Sequence, residues 1–179
     1  MKYQNTIADL SINYKVKTYN QLNDLFDIQD GELPLFHFML ALMGYKHKKK
    51  VDLSTNDKKS EKSRDFSLRT MYQRYESDLD SYYGLLAILD NLDLNYDEVV
   101  DNIAFERTGT NGRSFLKMKN VKTFYEYMLG GIDYFEEQFM SDGDSPFRVA
   151  SNIHDFLIRD DNDINDILLE LLEDEETIL

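Results

Sequence analysis

Apolar residues recur along most of this chain at helical spacing. Leu22, Leu25 and Phe26 form a short stripe behind Thr18, whose hydroxyl suits an N-cap, and Asp30-Gly31 supplies a stop. Pro34 then stands in a first helical turn, where a missing N–H is tolerated, and Phe36, Phe38, Met39, Leu40, Leu42 and Met43 follow, apolar nearly all round, as far as Gly44. Such a pattern predicts a central, buried helix. Phe66, Met71, Tyr72 and Tyr75 resume the period, and Leu79, Tyr82, Tyr83, Leu85, Leu86, Ile88 and Leu89 mark a second strongly apolar helix. Asn95 or Asp97 opens a shorter one over Val99, Val100 and Ile103. Asn120 is placed to cap a long helix through Val121, Phe124, Tyr125, Met128, Leu129, Ile132, Phe135 and Phe139. Ser145-Pro146 begins another with Phe147, Val149, Ile153, Phe156 and Leu157, and Asp161 or Asn162 begins the last, with Ile164, Ile167, Leu168, Leu171 and Leu172.

Only Leu10, Ile12, Tyr14 and Val16 alternate with polar residues, so residues 1–17 read as an ordered arm or half of a small ribbon. The fold expected is all-α, an irregular bundle of about seven helices in a single domain over 1–179, with a short N-terminal strand or arm. No fixed period repeats, which argues against a solenoid.

Two segments interrupt the helices. Residues 46–64 are basic and polar and read as a long, mobile loop. Thr108-Gly109-Thr110-Asn111-Gly112 is a turn-rich break. A third feature sits inside a helix: Gly130-Gly131 costs about 1 kcal/mol per glycine relative to alanine, so close packing of another helix is expected to compensate.

Composition narrows the class. The 179 residues are 42% hydrophobic and 13% aromatic, enough for a real core, and two prolines leave long stretches unbroken. Cysteine is absent, which excludes disulfides and thiolate zinc sites. No apolar run of signal-peptide length follows Met1, and the stretch from Leu33 to Tyr45, interrupted by His37, is too short to span a bilayer. A cytoplasmic protein without membrane contact is the expectation.

The chemical inventory is sparse. His37, His47 and His154 are scattered, and His37 in its apolar helix reads as a hydrogen-bonded core residue. Asp161, Asp163 and Asn165 suggest a calcium loop, but its sixth position is Asp166 and its twelfth Leu172, so metal binding is not expected. Asp142-Gly143-Asp144 reads as a loop. Gly109 to Ser114 lacks the spacing and the Lys-Ser/Thr ending of a phosphate loop, and no Gly-x-Ser-x-Gly elbow occurs. The chain is therefore expected to be no enzyme and to need no cofactor.

Charge is more informative. The net −14 is uneven: most of the excess acid lies beyond Asp133, while residues 46–74 hold half of the basic side chains. Lys46, Lys48, Lys49, Lys50, Lys58, Lys59, Lys62 and Arg64 are candidates for contact with a nucleic acid or an acidic partner, with Arg69 and Arg74 extending the surface. Glu170, Glu173, Asp174, Glu175 and Glu176 are candidates for an acidic partner surface; they are either a solvated helix end or an imitation of DNA phosphates.

Two stretches carry a resemblance. Gly31 to Lys46, an apolar helix ending in Gly44-Tyr45 before a basic segment, and Tyr125-Glu126-Tyr127-Met128-Leu129-Gly130-Gly131-Ile132 resemble small helical proteins encoded beside bacterial DNA phosphorothioation (Dnd) modification and restriction genes. Where that pattern has Ala-Asn before the paired glycines, this chain has Met128-Leu129. The resemblance spans roughly residues 31–140 and implies an accessory role in DNA modification or phage defence, with no catalytic residues to transfer. Together these features suggest a non-enzymatic adaptor acting through protein or DNA contacts. An acidic DNA mimic that inhibits a nucleic-acid enzyme is the alternative.

Overall fold

The computed structural model describes residues 11–12, 14–53, 64–65, 68–105, 107–108, 115–116, 118–140 and 145–156. Lys58, Lys59, Lys62, the Gly109–Ser114 turn, the final helix expected from residue 161 and the acidic residues from Glu170 to Glu176 lie outside them. Two compact units make up the chain, Met1–Glu136 and Glu137–Leu179.

The fold is all-α, with six α-helices among the described residues. Helix α1 is Val16–Leu25, α2 Leu33–Lys46, α3 Leu68–Leu89 with a kink at Tyr75, α4 Tyr96–Val99, α5 Met118–Phe139 and α6 residues 146–156. A 3₁₀ turn, Asp30–Glu32, leads into α2, and α4 continues as a π-helical turn, Val100–Ala104. Two antiparallel ribbons tie the connections together. Strand β1 (Ser11–Ile12) pairs with β2 (Arg64–Asp65), and β3 (Arg107–Thr108) pairs with β4 (Phe115–Leu116).

Several boundaries differ from the sequence expectation. Alternation stops at Ile12, and Val16 and Lys17 already belong to α1 rather than to an arm. Thr18 is no cap: it is buried inside α1, and its hydroxyl donates to Glu136 Oε1 at 2.8 Å. The helix starts instead from Lys15, held in the left-handed region at φ 44°. Asn120 is likewise not a cap but lies buried in the first turn of α5, donating to the carbonyls of Ile103 at 2.7 Å and Ala104 at 3.1 Å. Gly44 does not end α2, which runs on through Lys46. Asn95 does cap α4, accepting from the amides of Asp97 and Glu98 at 3.0 and 3.2 Å.

The core of the first unit gathers where α1, α2, α3 and α5 present their apolar faces. Tyr19, Leu22, Leu40, Leu79, Leu86, Phe124, Tyr125, Met128, Leu129 and Ile132 are almost wholly removed from water. Its aromatic content is high, and the rings meet in the offset and edge-on arrangements that their quadrupoles favour. Tyr83 sits edge-on to Phe124 at 4.8 Å, and Phe38 stacks on Tyr82 at 4.5 Å. Polar tips inside this core find each other: Tyr19 Oη lies 2.9 Å from His37 Nε2, and the hydroxyls of Tyr83 and Tyr125 are 3.1 Å apart. Burial, which disfavours a phenolate, pushes both Tyr83 and Tyr125 well above the ordinary tyrosine range.

In the second unit, Ser145 caps α6 through its hydroxyl to the Arg148 amide at 3.3 Å. Val149 and Ile153, one turn apart, are buried, and Phe156 meets Phe139 edge-on at 5.3 Å.

Candidate functional site

Helices α2 and α5 approach closely enough for backbone to touch backbone. A Cβ on Gly44 would fall on the Tyr127 carbonyl oxygen and within 2.9 Å of the Gly131 nitrogen. One on Gly131 would strike the Leu40 carbonyl, and one on Gly130 would strike the Lys49 carbonyl. Three glycines therefore line a seam that no larger residue fits. On one side stand Leu40, Gly44 and Lys49, and on the other Tyr127, Gly130 and Gly131.

The chain leaving α2 is folded onto this seam. His47 N donates to Met43 O, Lys48 N to Tyr45 O and Lys49 N to Gly44 O, at 3.1, 3.0 and 2.8 Å. These bonds satisfy carbonyls that a helix end leaves without partners. Lys48 takes the left-handed conformation at φ 53°, which closes the turn. Val51 N then donates to the Glu126 carbonyl on α5 at 3.0 Å. The His47 ring stacks on Tyr134 at 3.7 Å, and Tyr45 reaches α3 through a 2.7 Å bond to the Leu89 carbonyl. So the first part of the basic segment, residues 46–51, is pinned to α2 and α5.

Its four lysines are not equivalent. Lys50 turns back onto the protein: its ammonium stands 3.7 Å from both Asp90 and Glu126 and 4.8 Å from the centre of the Tyr127 ring. Lys122 shares Glu126 at 3.3 Å. Tyr127 donates to Asp90, and burial together with that carboxylate raises its hydroxyl above the ordinary range. Lys49 is half-buried, its carbonyl over Gly130. Lys46 and Lys48 are exposed, as Lys50 also is despite its pairing. Of the other candidates, Arg64 is paired through its backbone in β2, and Arg74 is exposed on α3.

A second feature escaped the sequence. An open groove of about 460 Å³ is lined by Glu76, Ser77, Asp80, Ser81 and Phe105. Phe105 covers Gly84, where a Cβ would strike its ring. The Ser81 hydroxyl donates to the Ser77 carbonyl at 2.9 Å, the usual back-bond of a helical serine. The two serines share the groove with the Glu76 and Asp80 side chains. No sequence signal marks it, because the groove forms only through the packing of α3 against the π turn.

Among the described residues, no group of three or more His, Asp or Glu side chains stands where it could hold a metal ion, and no helix is long and apolar enough to cross a membrane. Comparison with known proteins adds no further assignment: no family model, no curated protein and no solved structure matches this chain.

Proposed function

We propose that this protein is a non-enzymatic adaptor of a prokaryotic DNA-modification or phage-defence system, meeting its partner or DNA through the basic turn over residues 46–50. The observation that carries the proposal is the fixed presentation of Lys46 and Lys48. The backbone beneath them is hydrogen-bonded to α2, and the turn is held onto α5 by the Val51 amide and the glycine seam. Cations on an ordered turn lose less conformational entropy on binding than cations on a free loop. Each phosphate they neutralise also releases counterions, while an acidic protein surface gains direct pairing.

The two stretches that resemble proteins of the Dnd systems are the two that meet at Gly44 and Gly131, which supports placing the interface there. The alternative of an acidic DNA mimic rests on Glu170, Glu173, Asp174, Glu175 and Glu176, outside the described residues.

The test is affinity purification of the tagged protein from its host at low and high salt, with nuclease-treated and untreated arms and mass spectrometry of what is captured. DNA-processing proteins or DNA should be recovered by the wild type and lost at high salt and in the Lys46→Glu/Lys48→Glu variant. Capture unchanged in that variant would overturn the assignment to the basic turn. Recovery of the bait alone would overturn the adaptor role.

A further inference from the structure

From Tyr75 to Phe105 the chain carries acids at positions 76, 78, 80, 90, 93, 97, 98 and 101 and no Lys, Arg or His. Within that run, the turn joining α3 to α4 exposes three large apolar side chains in five residues: Leu92 at 66%, Leu94 at 43% and Tyr96 at 65%. Single exposed leucines are ordinary on soluble proteins, whereas three large exposed apolar side chains within five residues point to an interaction surface.

The cluster is held in shape. Asn91 Nδ2 donates to the Ala87 carbonyl at 2.7 Å, Leu94 N to Asn91 O at 3.1 Å, and Asn95 caps α4. On the flanking elements Ala87, Val99 and Ala104 form a small buried core of their own, with Ile88 and Ile103 packed against it. The π turn that follows α4 is a rare conformation that in proteins concentrates at functional positions. Exposed carboxylates at Asp93, Asp97, Glu98 and Asp101 alternate with and follow the apolar residues along the chain, giving the segment an acidic rim. Such a rim repels nucleic-acid phosphates and anionic lipid headgroups. It attracts cations.

We infer that the α3–α4 turn is a docking surface for a basic, amphipathic peptide segment of a protein partner. Apolar anchors of that segment seat on Leu92, Leu94 and Tyr96, and its Lys or Arg side chains pair with the surrounding carboxylates. The inference extends the adaptor reading by giving a partner's chemistry, and it rests on that reading in taking binding as the chain's mode of action. The basic turn carries the opposite charge and adjoins the start of this run, where Lys50 pairs with Asp90.

The probe is a fluorescent synthetic peptide of about 14 residues with Lys and Leu at helical spacing. Two reference peptides replace Leu by Ser or Lys by Glu. The Lys/Leu peptide should bind in fluorescence anisotropy, at least about tenfold more tightly than the Lys/Ser peptide, with no binding of the Glu/Leu peptide. Leu92→Ser/Tyr96→Ser should weaken it about tenfold, and Asp97→Asn/Glu98→Gln/Asp101→Asn should weaken it and flatten its salt dependence. All of these positions are exposed, and circular dichroism should confirm that the variants keep their helices. Lys46→Glu/Lys48→Glu should bind the peptide no more weakly than wild type.

Absence of binding, equal affinity for the Lys/Ser peptide, or indifference to Leu92→Ser/Tyr96→Ser would overturn the inference. So would sedimentation showing a self-associated protein that Leu92→Ser/Tyr96→Ser dissociates, since the occupant would then be a second copy of this chain. Failure here with capture from the host still dependent on Lys46 and Lys48 would leave the adaptor reading standing. Peptide binding without such capture would do the reverse.

Discussion

Gly131 of α5 lies directly beneath the Leu40 carbonyl of α2, where a Cβ would come within 2.7 Å of the carbonyl carbon. Backbone cannot swing aside as a side-chain tip can, so helix propensity and packing oppose one another at this position. Gly131→Ala gains about 1 kcal/mol of propensity, while overpacking of this kind costs about 1–3 kcal/mol and more where only backbone can move. Net destabilisation by Gly131→Ala is expected, read as a lowered urea midpoint followed by circular dichroism. Gly31→Ala is the control, because its nearest neighbour would be the Tyr75 hydroxyl at 4.0 Å. Equal midpoints for the two variants would mean the seam is looser than described.

Tyr19 and His37 offer a test of the polar pair within the core. Both are fully buried, and Tyr19→Phe removes the 2.9 Å hydrogen bond while leaving the imidazole in place. A loss of about 0.5–1.5 kcal/mol is expected for the hydrogen bond removed from the core. Combining it with His37→Phe in a double-mutant cycle should give a coupling of about 0.5–3 kcal/mol. Strict additivity would show that the two groups do not stabilise one another.

Acid sensitivity follows from the cluster at the start of α1. Lys15 pairs with Asp133 at 2.8 Å and with Glu136, which also accepts from Thr18. Partial burial alone would raise the Glu136 carboxyl, but the Lys15 and Thr18 bonds and the charge of Lys17 outweigh it and hold the group below its ordinary 4.5. A lowered native value means that this contribution is fully present above about pH 4.5 and fades as pH falls through the native value. For Lys15, burial opposes the charge and the two carboxylates outweigh it, so its contribution holds below 10.5 and is lost only as pH rises through a still higher native value. Glu136→Gln should therefore be less stable than wild type at pH 7 by under about 1 kcal/mol, given its partial exposure. The gap should narrow as pH falls below 4.5 and through the lowered native value. A gap that persisted undiminished in acid would assign the effect to packing.

Asn120 joins α5 to the end of the π turn. Asn120→Ala leaves the Ile103 and Ala104 carbonyls without this donor, and a loss of about 1–3 kcal/mol is expected. Amide hydrogen exchange should quicken over Val100–Ala104. Unchanged protection there would mean that the turn is held by its packing on α3 alone.

The helices were legible in the sequence because their apolar spacing is regular; their ends were less so, for a physical reason. Thr18 and Asn120 have the side chains of good caps, but a hydroxyl or amide able to bond a local N–H bonds a distant group equally well. Only the tertiary partners, Glu136 for one and the Ile103 and Ala104 carbonyls for the other, decide which it does. Gly44 shows the same ambiguity, since the residue that stops helices also lets them touch. The paired glycines at 130 and 131 were easier to interpret, because their cost to a helix demands a compensating neighbour. In the basic segment, spacing gave no means of telling that Lys50 is folded back onto Asp90, Glu126 and Tyr127. The apolar cluster at Leu92, Leu94 and Tyr96 was hidden because an apolar residue in a turn has the same sequence signature whether it is covered or bare.

The bonds from Tyr14 and Thr18 to Asp133 and Glu136 span 119 and 118 residues of chain. On a ribosome extending at about 5–20 residues per second, α1 would emerge roughly 6 to 24 s before the acidic side chains that hold it. Throughout that interval the nascent chain carries an amphipathic segment with its closing partner not yet made. Completion of the first unit is therefore gated by synthesis of α5, and slowing translation between the two would lengthen the period in which chaperones and proteases find the N-terminal helix undocked.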